Sequence, residues 1–390
     1  MFRIQTLNKI SPLGLDLFPK DKYEIGNDIA NPDAILARSA DMNSMEIPSS
    51  VLAIARAGAG YNNIPVSRCS ESGIVVFNTP GANANAVKEL ALAAMLLSSR
   101  NIVGGINWTS SVADKAGISE LVEKEKSKFT GPELKGKTLG VIGLGAIGVM
   151  VANDAMALGM NVIGFDPYIS VDAAWNLSSS VIRADSLESL LVKSDYITLH
   201  IPQSEATKGL LDAEKFKIIK KDARVINLSR NALVNDKDIV EALEAGKVSC
   251  YVTDFPTTEL LACGKVICIP HLGASTPEAE DNCAIMAVQQ LMDYLESGEI
   301  RNSVNFPRCR LEQRFSYRLL VVNRNIPNMV GQITTNLAGA NINIQDMINH
   351  HRDEYGFSII DSDQKIPESV QEHISKVAGI IRVRSIEKTG

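Results

Sequence analysis

The sequence predicts an α/β protein built as two parallel-sheet lobes followed by a small βαββαβ module, and three observations carry that prediction. Short apolar strands alternate with helical stretches as far as Glu296. A glycine-rich turn, Gly143-Leu144-Gly145-Ala146-Ile147-Gly148, sits between an apolar strand and a helix, yet it arrives so late that something complete must precede it. Beyond Pro307 the apolar pattern changes to strand, helix, strand, strand, helix, strand.

Taken in chain order, strands over 2–7, 34–37, 52–56 and 75–78 suggest a smaller, flavodoxin-like α/β lobe. An apolar helix beginning near Asn83 leaves this lobe, and a helix rich in Ala and Met over 276–296 carries the chain back. The lobe is therefore expected to be discontinuous, formed by 1–90 with 284–305, and a cleft is expected between it and the domain of 91–283. The polar, lysine-rich stretch 107–130 reads as a connecting loop plus a helix over 118–126, on the solvated surface. A linker is expected past 302–307, before the strand that begins at Tyr317.

The apolar run 139–142, the glycine turn and the helical stretch 149–158 form GxGxxG in the context that gives it meaning. Gly143 permits the tight turn, Gly145 lets the backbone approach a pyrophosphate, and Gly148 allows close helix packing, with the helix N-terminus facing the anion. A second strand, 161–165, ends at Asp166, where an acidic residue meets the adenosine ribose and repels a 2′-phosphate. A Rossmann-type doubly wound domain that binds NAD rather than NADP is the expectation.

Three more strands, 224–228, 249–253 and 265–269, deliver Arg230, Asp254 and His271 at their carboxyl ends, where open parallel sheets bind ligands. Glu259 lies between the last two. These residue types suit hydride transfer to and from a 2-hydroxy acid. A guanidinium binds a carboxylate with two parallel hydrogen bonds and fixes the substrate plane. Imidazole can accept and return a hydroxyl proton. An acidic neighbour stabilises the imidazolium, and Glu259 is the residue expected to do so. The expected cofactor contacts are completed by Ala146, Ile147, Pro202, Thr207, Ser229, His271 and Gly273.

The formal net charge of −6 advertises no basic face, which argues against nucleic acid and anionic membrane as partners. The start of the chain reads as a strand rather than a signal peptide, the longest strongly apolar run, 90–97, is too short to span a bilayer, and a cytoplasmic location is expected. Six cysteines show no CxxC pair and read as reduced, mostly buried thiols. No metal centre is expected, and His350-His351 reads as a surface strand.

Together the glycine turn with Asp166, Ser229-Arg230, Asp254 to Glu259, and Pro270-His271-Leu272-Gly273-Ala274-Ser275-Thr276 resemble the D-isomer-specific 2-hydroxyacid dehydrogenases. The resemblance implies that Arg230, Glu259 and His271 are the catalytic set and that Asp254 holds the nicotinamide carboxamide or ribose. One departure is Asn231, where the family usually has glycine; asparagine tolerates a left-handed backbone. The run from Ala55 to Asn63 resembles the family's substrate loop, so Gly58, Ala59 and Gly60 are expected to offer backbone amides to a carboxylate and Arg56 to reach a phosphate. The substrate so implied is 3-phosphoglycerate. A glyoxylate or hydroxypyruvate reductase, or a non-enzymatic NADH-sensing interaction protein, are the other readings.

The segment 314–390, with strands at 317–322, 341–347, 357–361 and 380–386 and helices at 328–338 and 368–377, suits a ferredoxin-like module and resembles the family's regulatory ACT domain. That resemblance implies serine as an effector held by Asn325 and Asn341, although Asn323 and Asn328 stand where histidine and glycine are common. It also implies a homodimer or homotetramer.

Overall fold

Strand β1 (Phe2–Leu7) lies between β2 (Tyr23–Gly26) and β3 (Ala34–Ala37), and β4 (Ala53–Arg56) and β5 (Val75–Phe77) extend the sheet to the order β2-β1-β3-β4-β5, all parallel. This is the flavodoxin-like order. The structure is a computed structural model that describes residues 1–311 and 315–388. β2 is not announced by the sequence, because Tyr23-Glu24-Ile25-Gly26 is a half-exposed edge with little apolar signal.

The described residues fall into two compact units, Met1–Asn83 with Glu280–Gly390, and Ala84–Ala279. The second unit holds a seven-stranded sheet of β6 (Thr138–Ile142), β7 (Asn161–Phe165), β8 (Ile182–Arg183), β9 (Tyr196–Leu199), β10 (Ala223–Asn227), β11 (Val248–Thr253) and β12 (Val266–Cys268). Its order, β12-β11-β10-β9-β6-β7-β8, reverses direction between β6 and β9, which makes that junction the topological switch where a doubly wound sheet binds its ligand. One face is covered by the helices Ala84–Ser99 and Ala146–Ala157, whose Ala91, Ala94, Met95, Val151, Ala152 and Ala155 pack on Leu139, Val141 and Tyr196. Small side chains let the two helices approach each other closely.

Within the same unit, Ile102–Ser111 is a helix whose second half, from Asn107, falls where the sequence suggests loop. Gly104, Gly105 and a Thr-Ser-Ser run hide it, but the Asn101 side chain accepts the Gly104 amide at 3.0 Å and starts the helix. None of its residues is buried.

In the first unit, β13 (Tyr317–Arg324), β14 (Ile344–Arg352), β15 (Tyr355–Ser362) and β16 (Ile380–Glu387) form an antiparallel sheet ordered β14-β15-β13-β16, the ferredoxin-like arrangement. Arg314, Thr389 and Gly390, at the ends of the span expected to form a regulatory module, lie outside the described residues. β14 runs further than its side chains suggest, because the hairpin ladder with β15 continues to Arg352 opposite Tyr355. His350 and His351 are exposed on that strand. One sheet face packs on the helices Met329–Gly339 and Glu368–Ser375 through Leu319, Val321, Ile333 and Ile374. On the other, Leu320, Val322, Phe357 and Ile359 share a core with Ala287, Leu291 and Tyr294 of the helix Pro277–Ser297.

The segment just before the expected linker is held in place. Asn305 is buried, accepts the Val76 amide at 2.9 Å, and donates to the carbonyl of Ile74 at 2.9 Å and to Ser70 Oγ at 3.0 Å. A fully buried pair, Arg318 with Asp361 at 2.6 and 2.7 Å, anchors β13 to β15, and Arg318 also donates to the Ser297 carbonyl at 2.8 Å. No single helix among the described residues is long and apolar enough to cross a membrane. All six cysteines are free; Cys69, Cys283 and Cys309 are buried and the others half-buried.

Candidate active site

The three glycines of the turn after β6 have different physical reasons. Gly143 adopts φ +91°, and a Cβ there would lie 2.6 Å from the His200 carbonyl oxygen. A Cβ on Gly148 would sit 1.9 Å from the Gly143 carbonyl oxygen. Gly145 differs: it opens the helix Ala146–Ala157, and nothing lies within 4 Å of the place its Cβ would take. Two glycines are thus demanded by the protein's own backbone, while the third keeps open space at a helix N-terminus, which is what a closely approaching pyrophosphate requires.

Asp166 follows β7 and fastens this turn. Its Oδ2 accepts the Leu144 amide at 2.8 Å and its Oδ1 accepts the Tyr168 amide at 2.8 Å, leaving lone pairs for ribose hydroxyls. Past β9, Thr207 Oγ1 donates to the Pro202 carbonyl at 2.8 Å and accepts the Ser204 amide at 2.7 Å, so Pro202 and Thr207 shape the next loop.

Arg230 is placed by Asn227, a residue that the sequence does not single out. The Asn227 side chain, fully buried at the end of β10, donates to the Arg230 carbonyl at 2.9 Å and accepts the Ser229 amide at 3.2 Å. Ser229 Oγ donates to the Leu199 carbonyl at 2.6 Å, and the exposed Arg230 guanidinium donates to the Ser229 carbonyl at 2.6 Å. An asparagine interrupting the apolar residues Val225, Ile226 and Leu228 is the signal that could have found it. Asn231 begins a short 3-10 turn, Asn231–Leu233, and is not among the residues with positive φ. The backbone there is not left-handed, so the departure from glycine brings no backbone strain.

Asp254 is 1% exposed, and neither carboxylate oxygen finds a well-aligned donor among the described residues. Burial pushes its pKa up, against the charge of His271, the Gly273 amide and the charge of Arg230. This buried acceptor pair fits a group that brings its own donors, such as a carboxamide or ribose hydroxyls. His271 itself is exposed, with the Phe255 ring edge-on at 5.0 Å between centroids. Glu259 stands exposed on the short helix Thr258–Ala262, and no hydrogen bond joins it to His271 among the described residues. The charge of His271 also acts on Asp254, which the pairing of β11 with β12 brings near it.

His200 is the second residue without a clear mark in the sequence. It is half-buried, Nε2 pairs with Thr198 Oγ1 at 3.0 Å, the buried Nδ1 has no partner among the described residues, and desolvation lowers its pKa to about 4. It directly follows β9, and its carbonyl abuts Gly143. A histidine closing an apolar strand is its only sequence signal.

In the first unit, Arg56 ends β4 and donates from Nε to the Arg38 carbonyl at 3.0 Å. A Cβ on Gly58 would fall 1.5 Å from Arg56 Nη1, so glycine makes room for the guanidinium. The Gly58 amide is committed to the Arg56 carbonyl at 2.8 Å, whereas the amides of Ala59 and Gly60 have no acceptor among the described residues. Of the expected nest, two donors remain. Arg38 pairs with Glu280 at 2.5 Å. In the antiparallel module, Asn325 lines a cavity of about 160 Å³ together with Asn323, Asn328 and Asn349, while Asn341 is not part of its lining. Asn328 has φ +68° and so takes over the left-handed position of a glycine.

Residues 92–273 match the model of the D-isomer specific 2-hydroxyacid dehydrogenase, NAD binding domain. The D-3-phosphoglycerate dehydrogenase of Methanocaldococcus jannaschii is 33% identical over 336 residues, 84% of this chain and 61% of that protein. The hydroxypyruvate reductase of Thermotoga maritima is 34% identical over 287 residues, covering 70% of this chain and 89% of that one. Among solved structures, the NAD+-bound 3-phosphoglycerate dehydrogenase of Entamoeba histolytica superposes with a TM-score of 0.59 at 24% identity, over 78% of this chain and 98% of that chain, a likeness of fold. The chain belongs to the D-isomer specific 2-hydroxyacid dehydrogenase family, and its second unit carries that family's NAD-binding domain. It spans about three fifths of the length of the M. jannaschii relative, 61%.

Proposed function

We propose that the chain catalyses the NAD-dependent oxidation of 3-phospho-D-glycerate to 3-phosphohydroxypyruvate, the reaction of a D-3-phosphoglycerate dehydrogenase and the entry to phosphorylated serine biosynthesis. The observation that carries the reading is that the neighbouring strands β10, β11 and β12 lead to Arg230, the buried, unsatisfied Asp254 and His271, in the unit that holds the glycine turn. NAD, when bound, supplies the acceptor for the C2 hydride. The glycine turn and Asp166 hold its pyrophosphate and ribose, and Asp254 with Gly273 orients the nicotinamide end.

Arg230 fixes the substrate carboxylate, and His271 Nε2 or Nδ1 takes the hydroxyl proton as the carbonyl forms. Glu259 and Asp254 divide the work of stabilising the imidazolium, Glu259 from its exposed helix and Asp254 from the buried side. Ala59 and Gly60 offer amides to the substrate, with Gly58 giving room, and Arg56 binds its phosphate. The module of 314–390 is assigned a regulatory role, with serine at the cavity lined by Asn325, and the working state is a homodimer or homotetramer in the cytoplasm.

A hydroxypyruvate or glyoxylate reductase is the second reading, favoured by the T. maritima relative, which this chain covers at 89%. The test is NADH formation across a panel of D-2-hydroxy acids. A kcat/KM for 3-phosphoglycerate well above that for D-glycerate supports the first reading, and the reverse order supports the second.

A further inference from the structure

A cavity of about 270 Å³ lies where β16 meets the loop 46–51 and the helix Val66–Glu71, all within the first unit. Two arginines from distant parts of the chain line it, Arg68 and Arg382, together with Ser49, Ser72, Ile74 and Glu46. Arg68 donates to the carbonyls of Met45 and, at 3.4 Å, Met42. Arg382 donates to the carbonyls of Val51 at 2.5 Å and Ser49 at 3.2 Å. Neither guanidinium has an acidic partner within ion-pair distance among the described residues.

A guanidinium carries five donors, and each of these two bonds to neutral carbonyls, so charge and donors both remain to be satisfied. Glu46, the single acid among the lining residues, offsets half of that charge at most. The backbone fixes the place as well: Gly73 takes φ +67°, and a Cβ there would meet Arg382 Cβ at 3.0 Å, so β16 lies against the turn that follows the helix. The cavity is below the usual size for drug-sized ligands, which points to a small guest.

We propose that this cavity is a binding site for a small, doubly charged oxyanion of the phosphate class, held between Arg68 and Arg382. Two guanidiniums and two hydroxyls match tetrahedral oxyanion chemistry, and charge-assisted bonds to arginine are the strong kind. Such an anion ties the last strand of the antiparallel module to the lobe that carries Arg56, adding a charged link where the described contacts are to neutral backbone.

The test is calorimetric titration with inorganic phosphate of an Arg56→Met enzyme, in which binding at the proposed substrate-phosphate site is already removed. Heat is expected to persist in that background, and Arg68→Met added to it is expected to weaken phosphate roughly 10-fold, the scale of one charge-assisted bond pair. Arg382→Met should do the same. Arg68 is exposed, so its variant carries the test alone if Arg382→Met does not fold. Malonate and 3-phosphoglycerate in place of phosphate separate a dicarboxylate guest from a phosphorylated one. Phosphate affinity that neither arginine variant changes, or heat that chloride at matched ionic strength reproduces, overturns the proposal.

Discussion

The Leu144 amide donates to Asp166 Oδ2 at 2.8 Å, so the carboxylate proposed to meet the adenosine ribose also ties down the glycine turn. Asp166→Asn keeps one acceptor and loses the charge. At close range the removed repulsion toward a 2′-phosphate is on the order of a few kcal/mol. The NADP/NAD ratio of kcat/KM is expected to rise about 10-fold or more, with NAD affinity falling modestly. Steady-state kinetics with both cofactors checks it, and an unchanged ratio removes Asp166 from ribose selection.

His271→Gln is expected to lower kcat by about 100- to 10,000-fold while NADH still quenches protein fluorescence with near wild-type affinity. Retained turnover excludes the proton-transfer role. Glu259→Gln and Asp254→Asn distinguish the two acids. Loss of kcat alone is expected for Glu259, whereas Asp254→Asn should also weaken NADH if its unsatisfied oxygens receive the nicotinamide end as proposed.

Asp254 also makes a prediction about stability. Burial raises its folded-state pKa, so its favourable contribution is present at acid pH and is lost as pH rises through that folded value. Asp254→Asn should therefore raise the Tm of the NAD-free protein at pH 8 and change it little at pH 4. A Tm that falls at pH 8 means the carboxylate is better satisfied than its surroundings indicate. Activity is expected to fall as stability rises, as at other strained functional positions.

The parts of this site that chemistry fixes locally are legible in the sequence. The Gly143, Gly145 and Gly148 pattern needs only a turn and a helix, and Arg230, Asp254 and His271 each follow an apolar strand that reads as such. What is not legible depends on contacts distant in the chain. Asp254 comes under the influence of His271 because β11 and β12 are neighbours, which spacing along the chain does not announce. Asn227 and His200 look like ordinary strand ends until β9 and β10 are paired. The helix Ile102–Ser111 carries two glycines and buries no residue, so neither propensity nor amphipathic pattern announces it.

His200 sets an acid limit. Its pKa is lowered from 6.5 to about 4 by burial, so the native state disfavours the charged ring, and stability present above pH 6.5 is lost as pH falls toward 4. The full shift corresponds to about 3 kcal/mol. His200→Asn, which can still pair with Thr198, is expected to show a flatter loss of urea stability between pH 7 and pH 4.5. Parallel acid limbs for the two proteins mean that other groups control the acid transition.

Arg56 decides between the two substrate readings. Its guanidinium lies over Gly58 and donates to the Arg38 carbonyl, so it is oriented before any substrate arrives. A preoriented arginine on a phosphate contributes the strong, charge-assisted kind of hydrogen bond, worth about 1.5–3 kcal/mol, which converts to roughly 10- to 100-fold in KM. Arg56→Met should raise KM for 3-phosphoglycerate by that factor while leaving the reduction of hydroxypyruvate, which has no phosphate, within about 3-fold of wild type. The unphosphorylated substrate serves as the internal control, since a distorted loop from Ala55 to Asn63 harms both reactions. Equal losses on the two substrates therefore withdraw the phosphate role from Arg56 and leave the reductase reading in place.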